Sequence, residues 1–165
     1  MARLNRRNFL KGSLAVAGSA IVIGGTKASG KVIGANDRLR IAVCGLNGRG
    51  GAHIGGFIGQ PNVEIAYLVD PDEKVLDRAK AGVTKRVKGK YEPKAVTDVR
   101  EALADKNVDA ISVATPNHWH SLMTIWACQA GKHVYVEKPM SHDNFEGRRV
   151  VEAWKKYGVV VQHGT

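Results

Sequence analysis

Residues 38–56 read RLRIAVCGLNGRGGAHIGG, a short apolar run that breaks into six glycines within the thirteen positions from Cys44 to Gly56. An apolar run bounded by glycine reads as a buried strand. Glycines that follow a strand and open a helix let the backbone come close to a phosphate. The spacing approximates G-x-G-x-x-G, with Gly45, Asn47 and Gly50 in register and an asparagine at the middle position. Asparagine enters left-handed backbone conformations with less strain than most residues, so Asn47 is expected to take that conformation. Gly48 and Gly51 add slack beside it. Arg49 either reaches the phosphate with a charge-assisted bond or stands as an exposed side chain.

Outward from this stretch, apolar runs alternate with helical patterns. Strands are expected at 38–45, 63–70, 94–97, 109–115, 132–139 and 159–165. In the segment 72–89, Val75, Leu76, Ala79 and Val83 fall on one helical face. Asp98 is placed to cap a short helix, and Gly131 and Gly158 to end two others. Trp119, Leu122, Met123, Trp126 and Ala130 recur at helical spacing, which places Trp119 and Trp126 in the core. Strands alternating with helices imply a parallel sheet wound on both faces. The expected fold is α/β, a Rossmann-type doubly wound parallel sheet of strand order 3-2-1-4-5-6. Such a fold calls for an acid at the end of the second strand. Asp70 supplies it, twenty residues after Gly50. A carboxylate there accepts from the ribose hydroxyls and repels a 2′-phosphate, which favours NAD over NADP.

The net charge of +10 suggests nucleic acid at first sight. Half of that excess is Arg3, Arg6, Arg7, Lys11 and Lys27, in a segment without acids. Much of the remainder lies in TKRVKGKYEPK, residues 84–94, with no aromatic stacking platform. That stretch reads as a solvated helix end and loop, not a nucleic-acid surface. Cys44 and Cys128 lie in apolar runs and read as small buried hydrophobes, although sequence alone leaves a disulfide open. Neither cysteine has metal-ligand spacing, and His118 and His120 lack the i, i+4 separation of a helical metal pair, so no metal is expected.

Residues 1–30 form a leader, followed by a linker at 31–37 and one domain at 38–165. The leader has a basic start and a fourteen-residue apolar stretch, GSLAVAGSAIVIGG, too short to span a bilayer. NRRNFLK, with Arg6, Arg7, Phe9, Leu10 and Lys11, resembles a twin-arginine export signal, with Asn5 departing from the usual Ser or Thr. The resemblance implies export of a folded protein by the twin-arginine machinery and a periplasmic location. Cleavage is expected after Ala28.

Three stretches narrow the reading: GLNGRGGAH at 45–53, ATPNHWH at 114–120 and GKHVYVEKP at 131–139. Together they resemble the N-terminal domain of the glucose–fructose oxidoreductase/inositol dehydrogenase (Gfo/Idh/MocA) family across residues 38–165. The resemblance implies NAD(P)-dependent hydride transfer on a sugar or polyol. It matches Glu137 and Lys138 to the family's E-K pair, with Lys138 beside the nicotinamide as the catalytic lysine and Pro139 aiming it. It places Thr115, Pro116, Asn117, His118, Trp119 and His120 along the cofactor. Read without the resemblance, Asn117 caps a helix and Lys138 is an ordinary exposed lysine. The family's enzymes carry a second domain with the acid/base histidine, through which subunits often pair, so homo-oligomers are expected of a full-length protein. His163, inside the sixth strand, does not correspond to that histidine. The chain alone is expected to be inactive. Two alternatives stand beside this reading: an NAD-dependent glycosidase of the same family, and a non-catalytic nucleotide-binding module.

Overall fold

Each apolar run becomes a strand, and each amphipathic stretch becomes the helix returning the chain to the next strand. The computed structural model describes residues 38–164, so the leader and linker lie outside the described residues. The order is β1 (Leu39–Cys44), α1 (Arg49–Phe57), β2 (Val63–Val69), α2 (Glu73–Val87), β3 (Lys94–Val96), α3 (Val99–Ala104) and β4 (Ala110–Val113). A 3₁₀ turn (Asn117–Trp119) then leads to α4 (His120–Gln129), β5 (His133–Val136), α5 (Asn144–Tyr157) and β6 (Val161–His163). The six strands form one sheet in the order β3-β2-β1-β4-β5-β6. Every pairing is parallel. This is the expected Rossmann-type topology. The strand order reverses at β1, which pairs with β2 on one side and β4 on the other. Ligands of open α/β sheets bind beyond the strand ends at such a reversal.

Alternation along β1 divides the core into two layers. Ile41 and Val43 join Ile54 of α1 and Val75, Leu76, Val83 and Val87 of α2. Ala42 and Cys44 join Val99, Ala102 and Leu103 of α3 and Ala127 of α4. α5 packs through Ala153 against Cys128 of α4. The sequence reading took all strands as continuous, doubly covered runs. β5 departs from this: Val134 and Val136 are buried, whereas His133 and Tyr135 are only half-buried. The apolar cluster of α1 and α2 reaches β1, β2 and β3 but includes no residue of β5. Tyr135 therefore faces a thinner, more polar layer.

Local signals hold the helices as read. Asp72 and Asp98 accept from the backbone N–H groups of Lys74 and Arg100 at 2.9 and 2.8 Å. Gly158 ends α5 at φ 64°. The basic stretch closes α2 and runs to β3, with Lys85, Arg86, Lys88, Lys90 and Lys94 exposed. Cys44 and Cys128 are free and buried. Burial pushes the Cys44 thiol up to about 12.

Two glycines fix how α1 sits on the sheet. Gly45 has φ 78°, and a Cβ there would lie 2.7 Å from the backbone of Ala114 and Thr115. A Cβ on Gly50 would overlap the carbonyl oxygen of Gly45. Gly51, by contrast, has room, with Leu46 O at 3.8 Å. Gly50→Ala is expected to lower stability by about 3 kcal/mol or more, as overpacking against a backbone that cannot yield. Gly51→Ala is expected to leave stability unchanged or raise it by up to about 1 kcal/mol through helix propensity. Denaturant titration of both variants tests this, and an equal response from the two would refute it.

Candidate functional site

The sheet's strand ends bring the distant stretches together. Gly45–Arg49, Asp70, Ala114–Pro116 and Glu137–Lys138 all follow directly from a strand C-terminus. β4 and β5 stop at Val113 and Val136, short of the expected 115 and 139. Two ladder bonds persist beyond them, Ala114 N–H to Cys44 O at 2.8 Å and Glu137 N–H to Val113 O at 2.9 Å. The chain then turns outward, which puts Thr115 and Lys138 on the rim, not in the sheet.

Two pockets meet over Ala114 and Thr115. The larger, about 680 Å³, runs from Gly45, Leu46 and Asn47 past Asp70 to Thr97–Arg100 and Trp119. The smaller, about 450 Å³, is lined by Arg49, Ala114, Thr115, His120, Glu137 and Lys138. Between them opens the N-terminus of α1, which no side chain caps. An uncapped helix start, with N–H groups directed outward, suits an anion.

The glycine-rich turn differs from expectation at one position. Asn47 does not adopt positive φ. Among the described non-glycine residues only Asn62 and Lys88 do. The positive φ, 51°, falls on Gly48, where no Cβ penalty arises. The Asn47 side chain instead accepts through Oδ1 from Arg78 Nη2 at 3.0 Å. Asp70 is 8% exposed. Its Oδ2 accepts from Leu46 N–H at 2.9 Å and its Oδ1 from Asp72 N–H at 3.1 Å. The ribose-acid candidate is thus tied to the glycine turn itself.

Glu137 gathers the side chains of α1 at the smaller pocket. Its Oε1 accepts from Arg49 Nε at 2.7 Å and from His53 Nε2 at 2.9 Å, and Lys138 N–H approaches Oε2 at 3.4 Å. His53 Nδ1 lies 2.8 Å from Ser112 Oγ. The Arg49 bond, then that of His53, holds the Glu137 carboxyl down at about 2. Arg49 remains exposed over 60% of its side chain, so neither sequence alternative anticipated its partner.

His120 is buried, and its ring nitrogens meet two backbone oxygens, Pro139 O at 2.6 Å and Thr115 O at 2.8 Å. Carbonyls only accept, so both bonds form together only when both nitrogens carry hydrogen. His120 therefore lies between the two rims, with both ring nitrogens set against backbone oxygens. Asn117 begins the 3₁₀ turn, with Pro116 in the cap position and no side-chain capping bond. It is not among the residues lining either pocket. Trp119, expected in the core, is 41% exposed and forms a wall of the larger pocket, joined there by the half-buried Trp126. Sequence reasoning missed His53, Ser112, Thr97 and Arg100. For His53 a signal existed: it lies four residues after Arg49, on the same helix face.

These features define a dinucleotide-binding α/β protein. The chain belongs to an oxidoreductase family with an NAD-binding Rossmann fold, whose model matches residues 39–165. Residues 3–22 match a twin-arginine translocation signal. A glycosyl hydrolase family 109 protein of Shewanella pealeana is 32% identical over 158 residues, covering 84% of this chain and 34% of that protein. GenD2 of gentamicin A biosynthesis, solved with NAD, shares 31% identity at TM-score 0.68, covering 81% of this chain and 36% of that one. The WlbA dehydrogenase of Bordetella pertussis, solved with NADH and UDP-GlcNAcA, shares 28% at TM-score 0.69, covering 76% and 37%. The chain spans about a third of the length of these relatives.

An acid whose folded-state pKa is depressed stabilises the fold above its unfolded pKa and loses that contribution as pH falls through the folded value. For Glu137 the window runs from 4.5 down to about 2. The melting-temperature gap between wild type and Glu137→Gln should be constant above about pH 5 and shrink as pH falls through that window. A gap independent of pH would contradict the pairing.

Proposed function

We propose that the chain is the cofactor-binding part of an exported, periplasmic NAD-dependent oxidoreductase that transfers a hydride to or from a carbinol carbon of a sugar or polyol. The observation carrying this reading is the pair of pockets that share Ala114 and Thr115 and run from Asp70 to Lys138. The open start of α1, with Gly45, Asn47, Gly48 and Gly50, takes the diphosphate. Each Asp70 oxygen keeps a lone pair beyond its backbone bond, free for a ribose hydroxyl. The same charge disfavours a 2′-phosphate, so NAD is preferred to NADP. Thr115 lies where the pockets meet, Pro116 lines the larger one, Asn117 follows it, and His120 lies between Thr115 and Pro139. Lys138, exposed at the smaller pocket, orients the reacting hydroxyl and handles its proton. Bound NAD supplies the hydride chemistry.

A second reading has its own support, since the curated relatives include glycosyl hydrolase family 109 proteins. In that reading the sugar is oxidised and re-reduced on one bound cofactor, and the glycosidic bond is cleaved in between. One experiment separates the two. Incubation of a longer protein that carries this chain together with a substrate domain, with NAD and a panel of sugars, polyols and aryl glycosides, should accumulate NADH, and Lys138→Met should abolish that accumulation. Aglycone release without net NADH would favour the glycosidase.

The cofactor preference is tested by calorimetric titration. NAD should bind about tenfold or more tightly than NADP, a difference of about 1.4 kcal/mol. Asp70→Asn should narrow that ratio. Asparagine is the better probe, because alanine would leave the buried Leu46 N–H without an acceptor. An unchanged ratio would remove Asp70 from the specificity role.

A further inference from the structure

We propose that His53 is a positioning residue of the cofactor cleft: through Glu137 it holds the guanidinium of Arg49 beside the open start of α1, where that guanidinium grips the diphosphate. The proposal rests on the dinucleotide reading of the cleft.

The geometry joins three elements in one chain. Arg49 and His53 stand one helical turn apart on α1, and both donate to the same oxygen, Glu137 Oε1. Glu137 follows β5 directly, and Ser112 lies in β4 between Ile111 and Val113, facing the opposite side from those two core residues. His53 is buried, with Tyr135 and Phe57 set edge-on to its ring at 5.3 and 6.5 Å. A histidine that donates through Nε2 to a carboxylate can accept through Nδ1 from the Ser112 hydroxyl, so the neutral ring satisfies both neighbours. Glu137, which can only accept, selects the tautomer with hydrogen on Nε2, and the Ser112 hydroxyl turns to donate to Nδ1.

A satisfied core histidine would account for the burial but not for the far end of the chain. Arg49 spends only Nε on Glu137, and its side chain borders the smaller pocket. Among the described residues no other carboxylate pairs with it. The planar guanidinium is held at one edge while other N–H donors remain for a planar or tetrahedral oxyanion. A cation fixed before binding loses less freedom when the anion arrives. The same carboxylate lies next to Lys138, so the diphosphate end and the lysine end share one anchor.

The test is a set of affinities of the full chain for NAD, ADP-ribose and adenosine, measured by calorimetry. His53→Phe keeps the ring volume and removes the donor. It should weaken NAD and ADP-ribose about tenfold, the scale of one charged hydrogen bond, and leave adenosine within about twofold. His53→Gln, which can again donate to Glu137, should recover most of the loss. In an Arg49→Met background, His53→Phe should have no further effect. Equal losses for all three ligands, no loss for any, or additivity with Arg49→Met would overturn the proposal. Should His53→Phe not fold, His53→Leu combined with Arg49→Met runs the same cycle. Wild-type protein that binds none of the three ligands would remove the cofactor reading and this proposal with it. Binding by wild type with an additive cycle would remove only the proposal.

Discussion

The contact between Gly50 and the carbonyl of Gly45 sets the position of everything else in the cleft. With no side chain between them, α1 starts directly on the end of β1. Its open N-terminus then faces the reversal of strand order between β1 and β4. Any larger residue would lift the helix and carry Arg49 and His53 with it. Gly45 imposes the matching limit on the other side, where its backbone touches Ala114 and Thr115. The turn is narrow because two backbones must pass without side chains between them.

Two carboxylates brace this turn from opposite flanks. Asp70, just beyond β2, accepts from the backbone of Leu46. Glu137, just beyond β5, accepts from the side chain of Arg49. Both acids are buried, and both reach back to residues 46–49 from strands on either side of β1 and β4. The two bonds add to the turn's own backbone bonds, Gly50 N–H to Asn47 O and Gly51 N–H to Gly48 O, and tie it to the strands on both flanks. On the outer rim His120 lies between Thr115 and Pro139.

The fold was legible because its signals are local. Apolar runs of strand length, the cap at Asp98 and the glycine stops do not depend on distant partners. Strand ends were less legible: the readings ran on to Thr115 and Pro139, where β4 and β5 end at Val113 and Val136. Asp70 and Lys138 could be singled out because each follows a strand at a spacing with a chemical meaning. His53 and Ser112 could not be paired in advance. They lie 59 positions apart and meet only because β4 sits beside β1. Trp119 was assigned to the core because its spacing to Met123 and Trp126 is helical. Its own turn is 3₁₀, with three residues per turn, which shifts the phase and swings the ring outward.

The two buried thiols bear on how this chain survives its journey. Disulfide exchange requires a thiolate that can be reached. Cys44 sits in the centre of the sheet, where burial holds its proton far above neutral pH, and burial also raises Cys128. A chain crossing a membrane unfolded would present both sulfurs to an oxidising compartment before the sheet could form. A chain that crosses by the twin-arginine route, with the sheet already closed, presents neither. Closure of the sheet before passage therefore keeps both thiols out of reach of exchange.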